Sequence, residues 1–363
     1  MEKGNANLHF VDRYIGIPLV VFLGLFRWRK RKIANDFSPR RIAILNISSI
    51  GDTVLMSGPI QDLKKNYPLA EIVFFCGKTN FGLQRMLPDF SAVHKLPVTN
   101  VLSCLFLIRQ QGQFDLMIDF GPWPRLNSIL SSFFKSKIKI GFQSIGQYRH
   151  YVYDYPISHS DQKHELDNFR SLLSPLNIET KSDPFVVLPE KENESITGDY
   201  VLFHPWPGGY KSYMKEWSQD HWLELAKKMD VLGLKIYITG AEADAQSSAV
   251  LEAQSDGLMQ SLAGKYNLQN TAILVKNAKL LVTVNTGILH IGAAVGVKMV
   301  ALHGPTSVHR WGPVSQLAIN VFPKSDQCGY LHFGFEYDKS TVDCMELISE
   351  EEVYQAVVDQ LRN

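Results

Sequence analysis

Short β-rich apolar runs alternate with stretches of helical spacing along most of this chain, and they do so twice. Residues 42–47 (IAILNI) read as a strand, and residues 52–66 follow with Val54, Leu55, Ile60 and Leu63 at helical intervals. Residues 71–76, 93–96, 116–119 and 138–142 continue as strands, with helices expected over 81–87, 101–110 and 126–134. A second series runs strand 200–204, helix 218–232, strand 234–239, helices 244–254 and 268–276, strand 280–284, helix 287–295 and strand 299–302. A last helix opens with Ser349 and Glu352 at capping-box spacing. Strands joined through helices need crossover connections, so each series predicts a parallel sheet covered by helices. Between the two, residues 183–199 carry two prolines and a run of acids, the composition of an interdomain linker. The division expected is therefore 1–38, 39–190 and 191–363. Two α/β halves predict a cleft between them, with ligands at the carboxyl ends of the strands.

Composition narrows the function classes. With 45% hydrophobic and 20% charged residues among 363, the chain has apolar material for two cores and is not a disordered polymer. A net charge of +1 argues against a surface that coats nucleic acid. The balance is local, however: residues 1–50 hold nine Lys/Arg against three acids. Within them YIGIPLVVFLGLF (14–26) runs directly into RWRKRK. Thirteen residues at helical rise cover about 20 Å, too short to span a bilayer, and charge follows the apolar run instead of preceding it as in a secretory signal. Pro18 falls where a helix starts or kinks. One reading is an interfacial anchor, with Trp28 and five cations meeting anionic lipid on the inner face of the cell membrane. The other is an apolar helix docked on the protein's own core. Cys76, Cys104, Cys328 and Cys344 are widely spaced with no CxxC pair, which predicts buried thiols in a reducing, cytoplasmic compartment and neither a disulfide scaffold nor a zinc site.

Four segments can carry chemistry. SSIGD (48–52) follows the first strand, and its glycine permits a tight turn into a helix that Asp52 opens; a capping role explains that aspartate as well as a catalytic one. VNTGILH (284–290) repeats the strand–turn–helix arrangement, so that Asn285, Thr286, Gly287 and His290 surround a helix N-terminus suited to an anion, or simply start a helix well. HPWPGGYKSYMKEW (204–217) is a Pro/Gly loop holding Lys211 and Lys215, and HGPTSVHRWGP (303–313) is a polar loop after a strand. A P-loop, a GxGxxG turn after the first strand, a DxD pair, HExxH and GxSxG are all missing from the sequence.

In this order the segments resemble glycosyltransferase family 9, the lipopolysaccharide heptosyltransferase family. RIAILNISSIGDTVLMSGPIQDLKKNYPLAEIVFF is similar to that family's opening, and FDLMIDFGPWPRLNSILSSFFKSKIKIGF to a later N-domain segment. KEWSQDHWLELAKKM, LAGKYNLQNTAILVKNAKLLVTVNTGILHIGAAVG, VALHGPTSVHRWGP and CMELISEEEV extend the likeness over residues 40–362. The resemblance implies a GT-B architecture, two Rossmann-like domains facing across a cleft, with the acceptor in the first and the nucleotide sugar in the second. It implies inverting transfer without a metal or a separate cofactor, from an ADP-sugar donor to a saccharide or lipid-linked saccharide in lipopolysaccharide, O-antigen or capsule assembly. Asp52 matches the catalytic base; Lys215, Thr286, Gly287 and His290 match the diphosphate site; Asn285, Glu242 and Tyr266 match the sugar and nucleoside contacts; Ser49, Gly51 and Arg125 fall on the acceptor side. Two positions depart from the pattern: Asn285 stands where an aspartate is usual, and Tyr266 where the side chain is smaller. A nucleotide-sugar epimerase of similar architecture and a non-catalytic assembly subunit are the alternative functions.

Overall fold

The computed structural model describes residues 14–362 except 28, 124, 190–195, 197, 210, 335 and 338–340. Trp28 and the middle of the expected linker lie outside the described residues. The chain divides into two compact units, Met1–Pro184 and Phe185–Asn363.

In the first unit six parallel strands, β1 (Arg41–Asn46), β2 (Glu71–Cys76), β3 (Ala92–Lys95), β4 (Gln113–Asp119), β5 (Lys135–Gln143) and β6 (Tyr155–Ser158), lie in the order β3-β2-β1-β4-β5-β6. Ile42 to Leu45 are wholly buried, as a strand covered on both faces requires. Edge strand β6 escaped the sequence reading because it contains Pro156, which only an edge tolerates. The helix expected over 52–66 is two helices, α2 (Ile50–Leu55) and α3 (Ser57–Asn66), broken at Met56. Pro59 has no N–H to return to Leu55, and Ser57 Oγ donates instead to Val54 O at 2.7 Å. Helices α4 (Val101–Gln110), α5 (Arg125–Phe133) and α6 (Glu165–Ser171) complete this unit's connections, while residues 81–86 form a 3₁₀ turn and no α-helix.

Ahead of these lies α1 (Gly16–Leu25), which docks along one stripe. Gly16, Val20 and Gly24 are buried, and a Cβ on Gly24 would stand 2.5 Å from Tyr151 Cβ, so only glycine allows this approach. Val20 packs with Ile129, Val152 and Tyr153. The opposite face is open: Phe22, Leu25 and Phe26 are 55%, 64% and 78% exposed. The basic run that follows is tied down, with Arg27 on the fully buried carboxylate of Asp154 and Lys30 Nζ on the carbonyls of Tyr151 and Tyr153 at 2.8 and 2.6 Å. Among the described residues no helix is long and apolar enough to cross a membrane.

The second unit repeats the plan. Strands β7 (Tyr200–His204), β8 (Lys235–Ile238), β9 (Met259–Ser261), β10 (Leu280–Val284), β11 (Met299–Leu302) and β12 (Ala318–Val321) are parallel in the order β12-β11-β10-β7-β8-β9. Numbered within each unit, both sheets read 3-2-1-4-5-6, the doubly wound order. Helices α7 (Gln219–Met229), α8 (Ala245–Ala253), α9 (Leu268–Asn277), α10 (Gly287–Val295), α11 (Val308–Trp311) and α12 (Glu350–Arg362) flank the sheet. Ser218 caps α7, and Ser349 and Glu352 close the reciprocal box at α12. One pair of cysteines departs from the four buried thiols expected. Cys76 and Cys104 are buried thiols, but Cys328 and Cys344 form a disulfide across 16 residues, their Cα atoms 5.7 Å apart. The pair was hidden because it closes an irregular segment between β12 and α12, where spacing carries no signature.

Candidate active site

In a doubly wound sheet the strand order reverses between the first and fourth strands, and the loops leaving their carboxyl ends diverge to leave room for a ligand. In the first unit those strands are β1 and β4. β1 ends at Asn46, whose side chain accepts from Ser48 N–H at 3.0 Å and donates to Met56 Sδ at 3.3 Å, folding the chain back at once. Ser49 then caps α2: its Oγ accepts from Asp52 N–H at 3.3 Å, and Asp52 Oδ2 accepts from Ser49 N–H at 3.4 Å. Asp52 is 4% exposed. One carboxylate oxygen is therefore occupied by the cap; among the described residues nothing donates to Oδ1. Buried Asn80 braces this turn, donating to Asn46 O and Thr53 Oγ1, both at 2.8 Å, and accepting from Gly77 N–H at 2.8 Å. Gly51 lies buried in the first turn of the same helix.

Across the switch point, β4 ends in Asp119, a fully buried carboxylate bonded by Arg149 at 2.7 Å, Gly121 N–H at 2.9 Å, Asn127 at 3.1 Å, Ser131 at 3.3 Å and the hydroxyl of Tyr153. Burial pushes that phenol far above its ordinary range, so it stays a donor. These bonds fix the 120–123 turn. Further along the edge, His159 Nε2 meets buried Glu165 at 3.0 Å and its ring stands edge-on to Trp123 and Phe142. Sequence reasoning missed this frame; the available signal was the polar residue ending each apolar run, Asn46 and Asp119. Arg125 begins α5 and is buried, its Nε and Nη2 donating to Gln147 O and Gly146 O at 3.2 and 3.0 Å.

In the second unit the corresponding strands are β7 and β10. After β10, Asn285 N–H bonds Leu302 O at 3.0 Å and Thr286 takes the N-cap position of α10 in an extended conformation, with no side-chain bond to the helix. The first amides of α10, from Gly287 on, are thus left for an anion, where the helix dipole favours negative charge. His290 lies buried one turn further along. Asn285 Nδ2 uses both its hydrogens, toward His303 Nδ1 at 3.0 Å and Trp311 O at 3.1 Å, while His303 Nε2 reaches Asn320 Oδ1 at 2.9 Å. Burial drives the His303 imidazole down to about 4, so it is neutral at ordinary pH; Nδ1 accepts and Nε2–H donates. A carboxylate at 285 has no proton to offer either partner, which explains why asparagine suits this neighbourhood. Asn285 Oδ1 accepts no bond from the described residues.

After β7, His204 Nδ1 lies 2.9 Å from Thr239 Oγ1, and burial lowers this ring to about 4 as well. Lys215 ends the 3₁₀ turn 212–215 and its Nζ donates to Gly208 O at 3.0 Å, folding the Pro/Gly loop on itself. Glu242 follows β8 and is exposed; Gly264, at φ +74, approaches it so closely that a Cβ would lie 3.2 Å from Glu242 Cα. Tyr266 follows β9 and is half-buried. Asn285, Thr286, Gly287 and His290 thus share one turn, whereas Glu242 and Tyr266 leave strands two and three places away, roughly 10–14 Å along the same edge at the usual strand spacing. Among the described residues no group of three metal-ligating side chains occurs.

Comparison with known proteins fits this arrangement. The lipopolysaccharide core heptosyltransferase OpsX of Haemophilus influenzae is 22% identical over 305 residues, 80% of this chain and 87% of that protein. Among solved structures, a glycosyl transferase family 9 protein of Veillonella parvula matches with a TM-score of 0.75 at 18% identity, over 91% of this chain and 99% of that one. The E. coli ADP-heptose lipopolysaccharide heptosyltransferase II matches with a TM-score of 0.72 at 18% identity, over 89% and 98%. The sequence profile of glycosyltransferase family 9 (heptosyltransferase) matches residues 109–330, more than half the chain. The chain therefore belongs to glycosyltransferase family 9, the heptosyltransferase family, and is a glycosyltransferase.

Proposed function

We propose that this protein moves a heptose-type sugar from an ADP-linked donor onto a saccharide of the lipopolysaccharide core, with inversion and without a metal. The observation that carries the reading is the pairing of family membership with two dissimilar switch points: a carboxylate with one uncommitted oxygen at 52, and an uncapped helix start at 286–287. Ser49, Gly51 and Arg125, the last through the 146–147 loop it fastens, belong to the acceptor side. Asp52 Oδ1 takes the proton of the acceptor hydroxyl as that oxygen attacks the anomeric carbon. The bond from that carbon to the diphosphate breaks, and the charge left on the phosphate falls to the amides of α10, His290 and Lys215. Asn285 Oδ1 accepts from a sugar hydroxyl, and Glu242 and Tyr266 hold the nucleoside.

Heptosyltransferase relatives favour transfer over epimerisation. Incubation with ADP-heptose and a truncated core oligosaccharide tests the point. A glycoside of inverted anomeric configuration is expected. A rearranged nucleotide sugar formed without any acceptor would instead identify an epimerase, and no turnover despite nucleotide binding a non-catalytic subunit.

The same reading puts the protein at the cytoplasmic face of the inner membrane on the ground of a lipid-linked acceptor alone, since the Cys328–Cys344 disulfide removes the argument from free thiols for a reducing compartment. The exposed Phe22, Leu25 and Phe26 beside a basic run support the membrane contact itself. Replacing these three residues by serine is expected to abolish flotation with anionic vesicles; flotation unchanged from wild type would refute the placement.

A further inference from the structure

Beside α1 the first unit holds a cavity of about 360 Å³. Its lining joins Leu23 and Phe26 of the exposed helix to four cations, Arg27, Arg31, Lys135 and Lys139. Arg27 is paired with Asp154, a carboxylate that also accepts from the backbone N–H groups of Arg31 and Lys139. Among the described residues the other three cations have no carboxylate within ion-pair distance: Arg31 bonds the carbonyls of Ser136 and Lys137, and Lys139 Nζ those of Ser131 and Ser132 at 2.6 and 2.9 Å. Lys139 is only 2% exposed. A buried ammonium held by neutral carbonyls alone is costly. Burial first, then repulsion from Arg27, pushes it down to about 7, and the nearby Asp154 carboxylate, already paired with Arg27, offsets this only in part.

We infer that this cavity is a subsite for the phosphate of an anionic glycerophospholipid, with Lys139, Lys135 and Arg31 binding the headgroup while Phe22, Leu25 and Phe26 enter the bilayer surface beside it. The inference rests on the membrane placement proposed above and specifies it. Surplus positive charge calls for an anion, and the apolar side chains at the rim call for one that arrives attached to a hydrocarbon surface. A purely interfacial helix would need neither a cavity nor a buried lysine.

The test compares full-length variants on vesicles of phosphatidylcholine with and without phosphatidylglycerol. Lys135→Gln with Lys139→Gln removes two cavity charges; Arg29→Gln with Lys32→Gln removes two exposed charges that do not line it. At about pH 6, below the value near 7 of Lys139, both lower the net charge by nearly the same amount, so a diffuse electrostatic attraction predicts equal losses. The subsite predicts that the cavity pair loses at least about tenfold more affinity for phosphatidylglycerol vesicles than the surface pair. Arg31→Gln with Lys135→Gln, both at exposed positions, provides the same comparison should the buried substitution impair folding, which nucleotide binding and thermal melting report. Equal losses overturn the subsite and leave the membrane placement standing. A wild-type protein that ignores both vesicle types overturns the placement and the subsite together. Inorganic phosphate that raises the melting temperature of the wild type but not of the cavity pair, while both pairs keep equal affinity for the vesicles, would identify a free-anion site and overturn the lipid assignment.

Discussion

The two units share a strand order yet differ at the place where that order reverses. In the first unit the switch point is built from committed polar groups: Asp119 takes five donors, Asn80 ties two loops, and Asp52 gives one oxygen to its own helix cap. In the second, Thr286 leaves the start of α10 uncapped and the neighbouring histidines are neutral. One edge is arranged to keep a single carboxylate oxygen in place, the other to leave donors unspent. A fold of this kind settles where a ligand goes, while the side chains at the reversal settle which charge it carries.

Removing the contrast at Asp52 should have the largest effect. Asp52→Asn keeps an oxygen for the Ser49 bond but cannot accept a proton, so turnover should fall by about 10³-fold, the middle of the range for a general base, with melting temperature and nucleotide affinity nearly unchanged. Turnover near wild type with a competent donor and acceptor would remove Asp52 from the mechanism. On the other side, Lys215→Met should lower kcat by about 10²–10³-fold with the fold intact if Lys215 stabilises the departing phosphate as proposed. A change confined to KM would make it a binding residue only.

Stability distinguishes the units more gently. Replacing Cys328 and Cys344 by serine opens a loop of 16 residues and should destabilise the second unit by about 3 kcal/mol, read by denaturant unfolding of variant against wild type. A pH effect is smaller per pH unit and builds up across the window. From the ordinary 6.5 down to about 4 the unfolded chain takes up protons that buried His204 and His303 refuse, so stability falls as pH drops through this window. The slope should reach about 1.4 kcal/mol per pH unit for each ring. His303→Asn should halve it, leaving the His204 contribution; an unaltered slope would show that His303 does not stay neutral in the fold.

Much of the scaffold could be read from residue pattern alone, because buried parallel strands such as residues 72–76 and 299–302 are unbroken apolar runs and their helices carry capping residues such as Ser218. What escaped did so for local reasons. β6 contains a proline, β9 has three residues, and β12 pairs at an edge, so none shows a period. Of the site, the turns bearing Asp52 and Asn285 were evident from strand–turn–helix spacing. Their support was not, since Asn80, Asp119 and His303 reach their partners from distant points of the chain, and spacing reports only on neighbours.

The Cys328–Cys344 bond also changes what a break in the chain would mean. A protease cutting between these residues would leave the piece bearing α12 covalently attached to the rest, so the nicked protein would migrate as one species until a reductant parted it. Because α12 packs Val353 and Val357 into the core of the second unit, such a cut would sever continuity without releasing the helix that helps close that core.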